Sequence, residues 1–252
     1  IVIFFGVMFT LLPFFSVFLS SLQVRKISEG SVERNWTLDG WRTAWGGDMS
    51  TMGVAEAMSN SIIYALCTLL IALPLGWILA STIFKLEQNG WSKTSKLLDL
   101  ACMLPLAVSA LMVGLGVLLG GLRWYPEMFG WFLLPVYPHV LLTVPFVVRV
   151  MLPAYHSLDP AFSEQCQMLN LSPLRSWYHG KLMFLRGPAV VAGSLTLAFS
   201  LGEFGASWLL VRSGNWDTLS IVVDQLMSRP NFDPLIHTTA MAAATMLMLL
   251  TF

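Results

Sequence analysis

"NSIIYALCTLLIALPLGWILA", Asn60 to Ala80, runs for 21 residues without an Asp, Glu, Lys or Arg. A helix that crosses the hydrocarbon core of a bilayer needs about 20 mostly apolar residues, and this stretch supplies them. Composition extends that reading to the whole chain. Of 252 residues, 56% are hydrophobic and 11% are charged, and the mean hydropathy is +0.71. A soluble domain carries about 25% charged residues, so lipid is the expected solvent. Fourteen basic and fourteen acidic residues cancel. That balance excludes the broad basic face of a nucleic-acid binder and the acidic tail of a docking arm.

Working outward from Asn60–Ala80, six segments have the length and apolarity of a span. They run approximately Ile1–Leu22, Met58–Phe84, Leu98–Leu122, Trp131–Leu152, Pro188–Val211 and Pro234–Phe252. Each must satisfy its own backbone polar groups in lipid, which selects helices; barrel strands would alternate polar and apolar residues, and these do not. The expected fold class is therefore all-α: a polytopic membrane protein with about six transmembrane helices. Residues 1–57 form the first span and a long polar loop, and residues 58–252 form a core of five spans. Pro13, Pro74, Pro105, Pro135, Pro138 and Pro145 fall inside spans and are expected to kink them more than break them. Gly114, Gly116, Gly120 and Gly121 in the third span are small enough to let helices approach closely. The first residue is not Met and the last lies in an apolar run, so a longer parent protein, or one half of a fused pair, is expected.

The connections carry the polar signals. Residues 23–57 form a long loop rich in Trp, which favours the membrane interface. Residues 212–233 are expected to hold a short amphipathic helix. Lys and Arg divide seven against seven between the two sides, counting Arg149 near a span end, so charge bias leaves the orientation open. The loop at 153–187 is more informative. Asp159–Pro160 is an N-cap followed by Pro at the first helical position. Ala161, Phe162, Gln165, Cys166 and Leu169 follow at roughly helical spacing, and Asn170 suits a left-handed helix terminus. Ser172–Pro173 repeats the cap-plus-Pro signal. The loop reads as helix, sharp turn, helix.

Chemistry-bearing clusters are scarce. Cys67, Cys102 and Cys166 lack metal-like spacing, and His139, His156, His179 and His237 are dispersed, so no metal site is expected. There is no Gly-rich phosphate loop, no His-Glu-x-x-His and no Gly-x-Ser-x-Gly. The chain is not expected to be an enzyme, and no catalytic residue is assigned. Glu203, in "SLGEFGASWLL" (Ser200–Leu210), lies about 22 Å into the fifth span at ~1.5 Å per residue. An ionisable group at that depth is costly and usually faces a cavity or a partner. Two readings stay open: a translocation pathway or gate formed with Ser200 and Ser207, or a carboxylate that reaches the interface or locks two helices.

The polar loop also carries a resemblance. It is similar to the EAA loop of permease subunits in binding-protein-dependent ATP-binding-cassette importers. That pattern is Glu-Ala-Ala, three residues, Gly, nine residues, then Ile-x-Leu-Pro. Here it falls on Glu164-Gln165-Cys166, then Asn170, then Gly180-Lys181-Leu182-Met183. Glu164 and Leu182 match, Cys166 is small like Ala, and Asn170 replaces Gly with a residue able to take the same backbone angle. Gln165, Gly180 and Met183 depart from the pattern. The likeness covers roughly Met58 to Phe252 and is nearest to the ferric-iron and thiamine permease group.

The resemblance implies a cytoplasmic coupling helix between the fourth and fifth spans. It would dock on an ATPase through Glu164, Gln165, Cys166, Asn170, Leu171 and Pro173. Residues 153–187 and 85–97 would then face the cytoplasm, and residues 23–57 and 212–233 the outside. The implied partners are ATP-binding-cassette subunits, a second permease half (a homodimer, or a fused or paired half), an extracytoplasmic substrate-binding protein and the lipid bilayer. The implied location is a prokaryotic inner membrane, crossed several times. No cofactor would be bound by this chain, since ATP would sit on the partner ATPase. The implied cargo is ferric iron or thiamine. The rival reading is an ion-coupled secondary transporter, with Glu203 and His139 carrying the coupling proton.

Overall fold

The structure, a computed structural model, describes residues 2–28, 31–46, 52–158, 168–169, 172–211, 216–230 and 233–251. Helix α1 (Val2–Ser21) leads into an antiparallel hairpin, β1 (Gln23–Ser28) and β2 (Ser31–Trp36), and then α2 (Asp39–Gly46). The long α3 (Val54–Gln88) is followed by α4 (Ser92–Ala107), α5 (Ala110–Trp124), a 3-10 turn (Pro126–Gly130) and α6 (Val136–His156). One turn of α7 (Pro173–Ser176) passes through a π-helical turn (Trp177–Lys181) into α8 (Leu182–Gly202). The short α9 (Gly205–Leu210), α10 (Leu219–Met227) and α11 (Pro234–Thr251) complete the described elements.

Helices α3, α6, α8 and α11 are each long and apolar enough to cross a membrane, and α4 with α5 qualify as one bent span. The first apolar segment is shorter, Phe5–Ser21. Large apolar side chains face outward along these helices: Phe9 is 79% exposed, Leu70 73% and Val190 68%. Water would penalise such surfaces and lipid does not. The chain is an all-α polytopic membrane protein.

Three span expectations change. The third span is not one helix, because α4 and α5 meet at 96°. Pro105 removes one amide from the last turn of α4, and Ser109 starts α5 afresh by accepting the N–H of Met112 (3.3 Å). The fourth span begins at Val136 instead of Trp131, with Trp131–Pro135 in turns. The fifth starts earlier and stops earlier than Pro188–Val211. Its helix covers Leu182–Gly202, so Glu203 sits just past a helix end and not inside a continuous span.

The chain forms two compact units. One comprises Ala65–Met128 and Val136–Ser200. Its core joins Ala80, Val147, Met151, Tyr155, Leu185 and Ala192. Helices α3 and α6 touch most closely at Gly76, where a Cβ would lie 2.5 Å from that of Val147. The close approach expected at the third-span glycines is not found at Gly116 or Gly120, where a Cβ would meet nothing within 4 Å.

The other unit comprises Ile1–Tyr64, Phe129–Pro135 and Leu201–Phe252. Here α11 packs against α1, α2 and α10. The segment expected as a loop at 23–57 thus contains a hairpin and a helix. Gly40 and Ala44, one turn apart, are both buried, and a Cβ on Gly40 would be 2.6 Å from Cγ2 of Thr238. Small residues at i and i+4 let α2 lie flat on α11. Thr238 Oγ1 also donates to the carbonyl of Gln23 (2.9 Å), fastening the hairpin. In the 212–233 connection, α10 is the expected short amphipathic helix, with Leu219, Val222 and Leu226 buried.

Candidate functional site

The docking residues named from sequence fall mostly outside the described residues: Glu164, Gln165, Cys166, Asn170 and Leu171. Pro173 opens α7, so the second helix of the loop begins where its Ser-Pro signal placed it. From there the backbone stays helical through the π turn to Gly202. Continuous helix, with a π turn and Pro188 in its course, therefore connects the C-terminal part of the polar loop to the span that follows. Two contacts within the same unit brace its base. Trp177 packs on Trp77 of α3 with ring centroids 6.3 Å apart, and Leu185 is fully buried.

Glu203 is 5% exposed, and its carboxylate is occupied by the helix that follows it. The N–H of Ala206 donates to Oε1 (2.8 Å), and the N–H and hydroxyl of Ser207 both donate to Oε2 (3.1 Å each). Phe204 is the N-cap of α9 but offers no side-chain acceptor. Glu203, one residue earlier, supplies it and places its negative charge at the positive end of the helix. Its carbonyl accepts the Ser220 hydroxyl (3.2 Å), which ties the break to α10. Glu203 and Ser207 thus form one hydrogen-bonded unit.

Beside this cap, the start of α3 holds the segment leading into α10. Asn60 Nδ2 donates to the Asp217 carbonyl (3.3 Å), and Ser61 Oγ accepts the Leu219 N–H (2.8 Å). The Tyr64 hydroxyl donates to the Trp216 carbonyl (3.4 Å). These three side chains share one face of α3 at i, i+1 and i+4. Sequence reading passed over them as minor polar residues in an apolar run, although their spacing was a usable signal.

Ser200 belongs to a different group, in the other unit. Its Oγ is 2.7 Å from Nδ1 of His139 and donates to Oγ1 of Thr68 (3.4 Å). All three side chains are buried, so the imidazole is held by hydrogen bonds within the helix bundle. The same unit contains an ion pair inside the spans. Arg149 Nη1 lies 3.8 Å from Asp99 Oδ2, and Nε contacts Met103 Sδ (3.1 Å). The Arg149 side chain is 58% exposed, while Asp99 Oδ1 is buried without a hydrogen-bond partner among the described residues. Arg149 was taken from sequence as a span-end cation. It lies seven residues, about 10 Å, before the end of α6. Its lone position in "VPFVVRVML" was the signal.

No family model matches the chain. Curated proteins do. A putative 2-aminoethylphosphonate transport system permease protein of Salmonella paratyphi A is 27% identical over 246 residues, 97% of this chain and 88% of that protein. A sulfate transport system permease protein of Salmonella typhimurium is 38% identical over 77 residues, 30% of this chain and 27% of the relative. A thiamine transport system permease protein of Haemophilus influenzae is 27% identical over 151 residues, 60% of this chain and 28% of the relative. With spans of this number and kind, these likenesses place the chain in a bacterial inner membrane, crossing it several times. Over nearly its whole length the chain is similar to a bacterial transport-system permease protein, and over parts of it to two others.

Proposed function

We propose that the chain forms part of the translocation pathway of an ATP-driven importer and performs no catalysis itself. It works with a second permease half, two ATPase subunits and an external binding protein. The observation that carries this reading is the uninterrupted helical rod from Pro173 to Gly202. A loop that merely tethered two spans would need no such helical continuity. A helix that opens at Pro173, just after Glu164, Gln165, Cys166, Asn170 and Leu171 in the sequence, converts movement of an ATPase docked on those residues into movement of α8. ATP binding closes the ATPases, the rod tilts, and the pathway changes the side to which it opens. At the far end of α8, Glu203 and Ser207 hold the break before α9 and so shape the gate without touching cargo. Ser200 acts through His139, as a pin between helices.

We further propose a small oxyanion as cargo, with thiamine and ferric iron as the competitors. The relatives named for phosphonate and sulfate support this class. So does Arg149, a cation within a span whose side chain is more than half exposed. Ionisable residues there usually serve a pathway, and guanidinium matches the geometry of oxyanions.

Proteoliposomes holding the chain with its ATPase subunits and binding protein test both statements. Labelled 2-aminoethylphosphonate or sulfate should enter only with ATP. Uptake driven by a proton gradient without ATP would favour the secondary-transporter reading, and uptake of thiamine or ferric iron alone would overturn the oxyanion. Glu164→Ala combined with Asn170→Pro should abolish co-purification of the ATPase; undiminished co-purification would refute the docking role.

A further inference from the structure

The unit that carries the α3–α6 core contains a cavity of about 360 Å³ that none of the preceding functions uses. Its walls are Trp77, Ile78, Ser81, Phe84, Lys85 and Gln88 of α3, with Tyr155 of α6 and Trp177 and Lys181 of the π turn. The α3 residues recur at i, i+1, i+4, i+7, i+8 and i+11, which is one face of a helix read over its last three turns. Along that face the chemistry is graded. Trp77 and Ile78 lie deepest in the span, and Lys85 and Gln88 lie at its end. Trp177 and Lys181 of the π turn close the opposite wall, with Trp177 against Trp77.

The cavity is a built site. Trp77 Nε1 donates to the Tyr155 hydroxyl (2.7 Å). Phe84 stacks on Tyr155 with centroids 5.5 Å apart, and Trp77 packs on Trp177. The π turn, a conformation often found at functional sites, carries Trp177 and Lys181 at its two ends. Among the described residues no Asp or Glu lines the cavity. Glu87, next to the lining residues, is engaged by Ser95 Oγ (3.1 Å) and His156 Nε2 (3.2 Å). Among the described residues no carboxylate pairs with Lys85 or Lys181, and both side chains are exposed.

We propose that this cavity binds the headgroup of an anionic phospholipid. Two unpaired ammonium groups without a facing carboxylate suit a phosphodiester. On the α3 wall, Trp77 and Ile78 continue towards the bilayer centre and suit the glycerol and the first acyl carbons. A free phosphate would use the lysines and leave Trp77, Ile78 and Trp177 without a purpose; a lipid uses both halves. The site lies where the ends of α3 and α6 meet the start of α8, the level at which Trp and Lys favour the interface. Bound lipid would fill the base of the rod that enters α8 and stiffen it.

The test is native mass spectrometry of the chain released from nanodiscs of equal parts phosphatidylglycerol and phosphatidylcholine. Phosphatidylglycerol should be retained in preference. Lys85→Gln with Lys181→Gln should lower that retention roughly 25-fold, about five-fold for each lysine near a membrane surface. Lys93→Gln with Lys96→Gln, the same loss of charge on exposed residues outside the cavity, should leave it within two-fold. Lys85→Arg with Lys181→Arg should restore it and control for folding. Equal losses in both glutamine pairs, or none in either, would overturn the proposal. So would release of phosphatidylglycerol by millimolar inorganic phosphate, which would assign the site to free phosphate.

Discussion

Two spans of this protein are interrupted, and they are interrupted by different physics. Between α4 and α5 the chain turns through 96°, and the new helix is started by Ser109, an exposed hydroxyl that satisfies one amide at 3.3 Å. Between α8 and α9 the restart is governed by Glu203, a buried carboxylate that accepts two amides and a hydroxyl. The first break lies among exposed residues, Leu106 to Ser109, and its cap satisfies one amide over a long bond. The second is sealed from solvent, so every donor must find its acceptor inside the protein. The comparison teaches that a charge near a span end need not point at cargo. Here it meets the cost of ending a helix in a dry place.

The largest expected effect follows from removing that acceptor. Glu203→Ala leaves the Ala206 and Ser207 amides buried without a partner, a loss of about 2–3 kcal/mol. At 2–4 °C per kcal/mol for a chain of this size, Tm in detergent should fall by roughly 5–10 °C. A normal Tm would show that the two breaks are equivalent after all. Glu203→Gln comes next. One side-chain oxygen remains to accept, but the charge and one acceptor are lost, so about 1 kcal/mol is expected. The informative measurement is uptake beside Tm. If both fall together, the carboxylate acts by holding the break; if uptake collapses while Tm is unchanged, it acts on cargo or gate through its charge.

Sequence made some of this legible and hid the rest for identifiable reasons. The apolar runs at 60–80, 188–202 and 234–251 marked spans because lipid solvation depends on composition, which a sequence displays directly. The Ser172–Pro173 start of α7 was readable because capping is local. Glu203 was recognised as exceptional, but its place was misjudged. A helix end in "SLGEFGASW" depends on which acceptor reaches the next amides, and apolarity alone does not mark it. The α2 helix was missed because its signal, small residues at 40 and 44, has meaning only once Thr238 lies opposite. The same holds for Gly76, whose role exists only in contact with Val147, while the more conspicuous Gly116 and Gly120 face open space. The site at Trp77, Lys85, Trp177 and Lys181 was likewise invisible, since its halves are nearly a hundred residues apart in sequence.

The smallest expected effect lies at the other break. Ser109→Ala removes the hydroxyl that accepts the Met112 amide, but this cap is exposed and its bond is long at 3.3 Å. Replacing a serine cap by alanine costs about 0.5–2 kcal/mol in general; exposure places this one at the low end, near 0.5 kcal/mol, or 1–2 °C in Tm. Uptake should not change, because α5 can still start at Ala110 after Pro105 has ended the preceding ladder. A drop as large as that of Glu203→Ala would mean that the α4–α5 bend also depends on one acceptor. The measurement therefore decides whether the two breaks differ in kind or only in the residue that caps them.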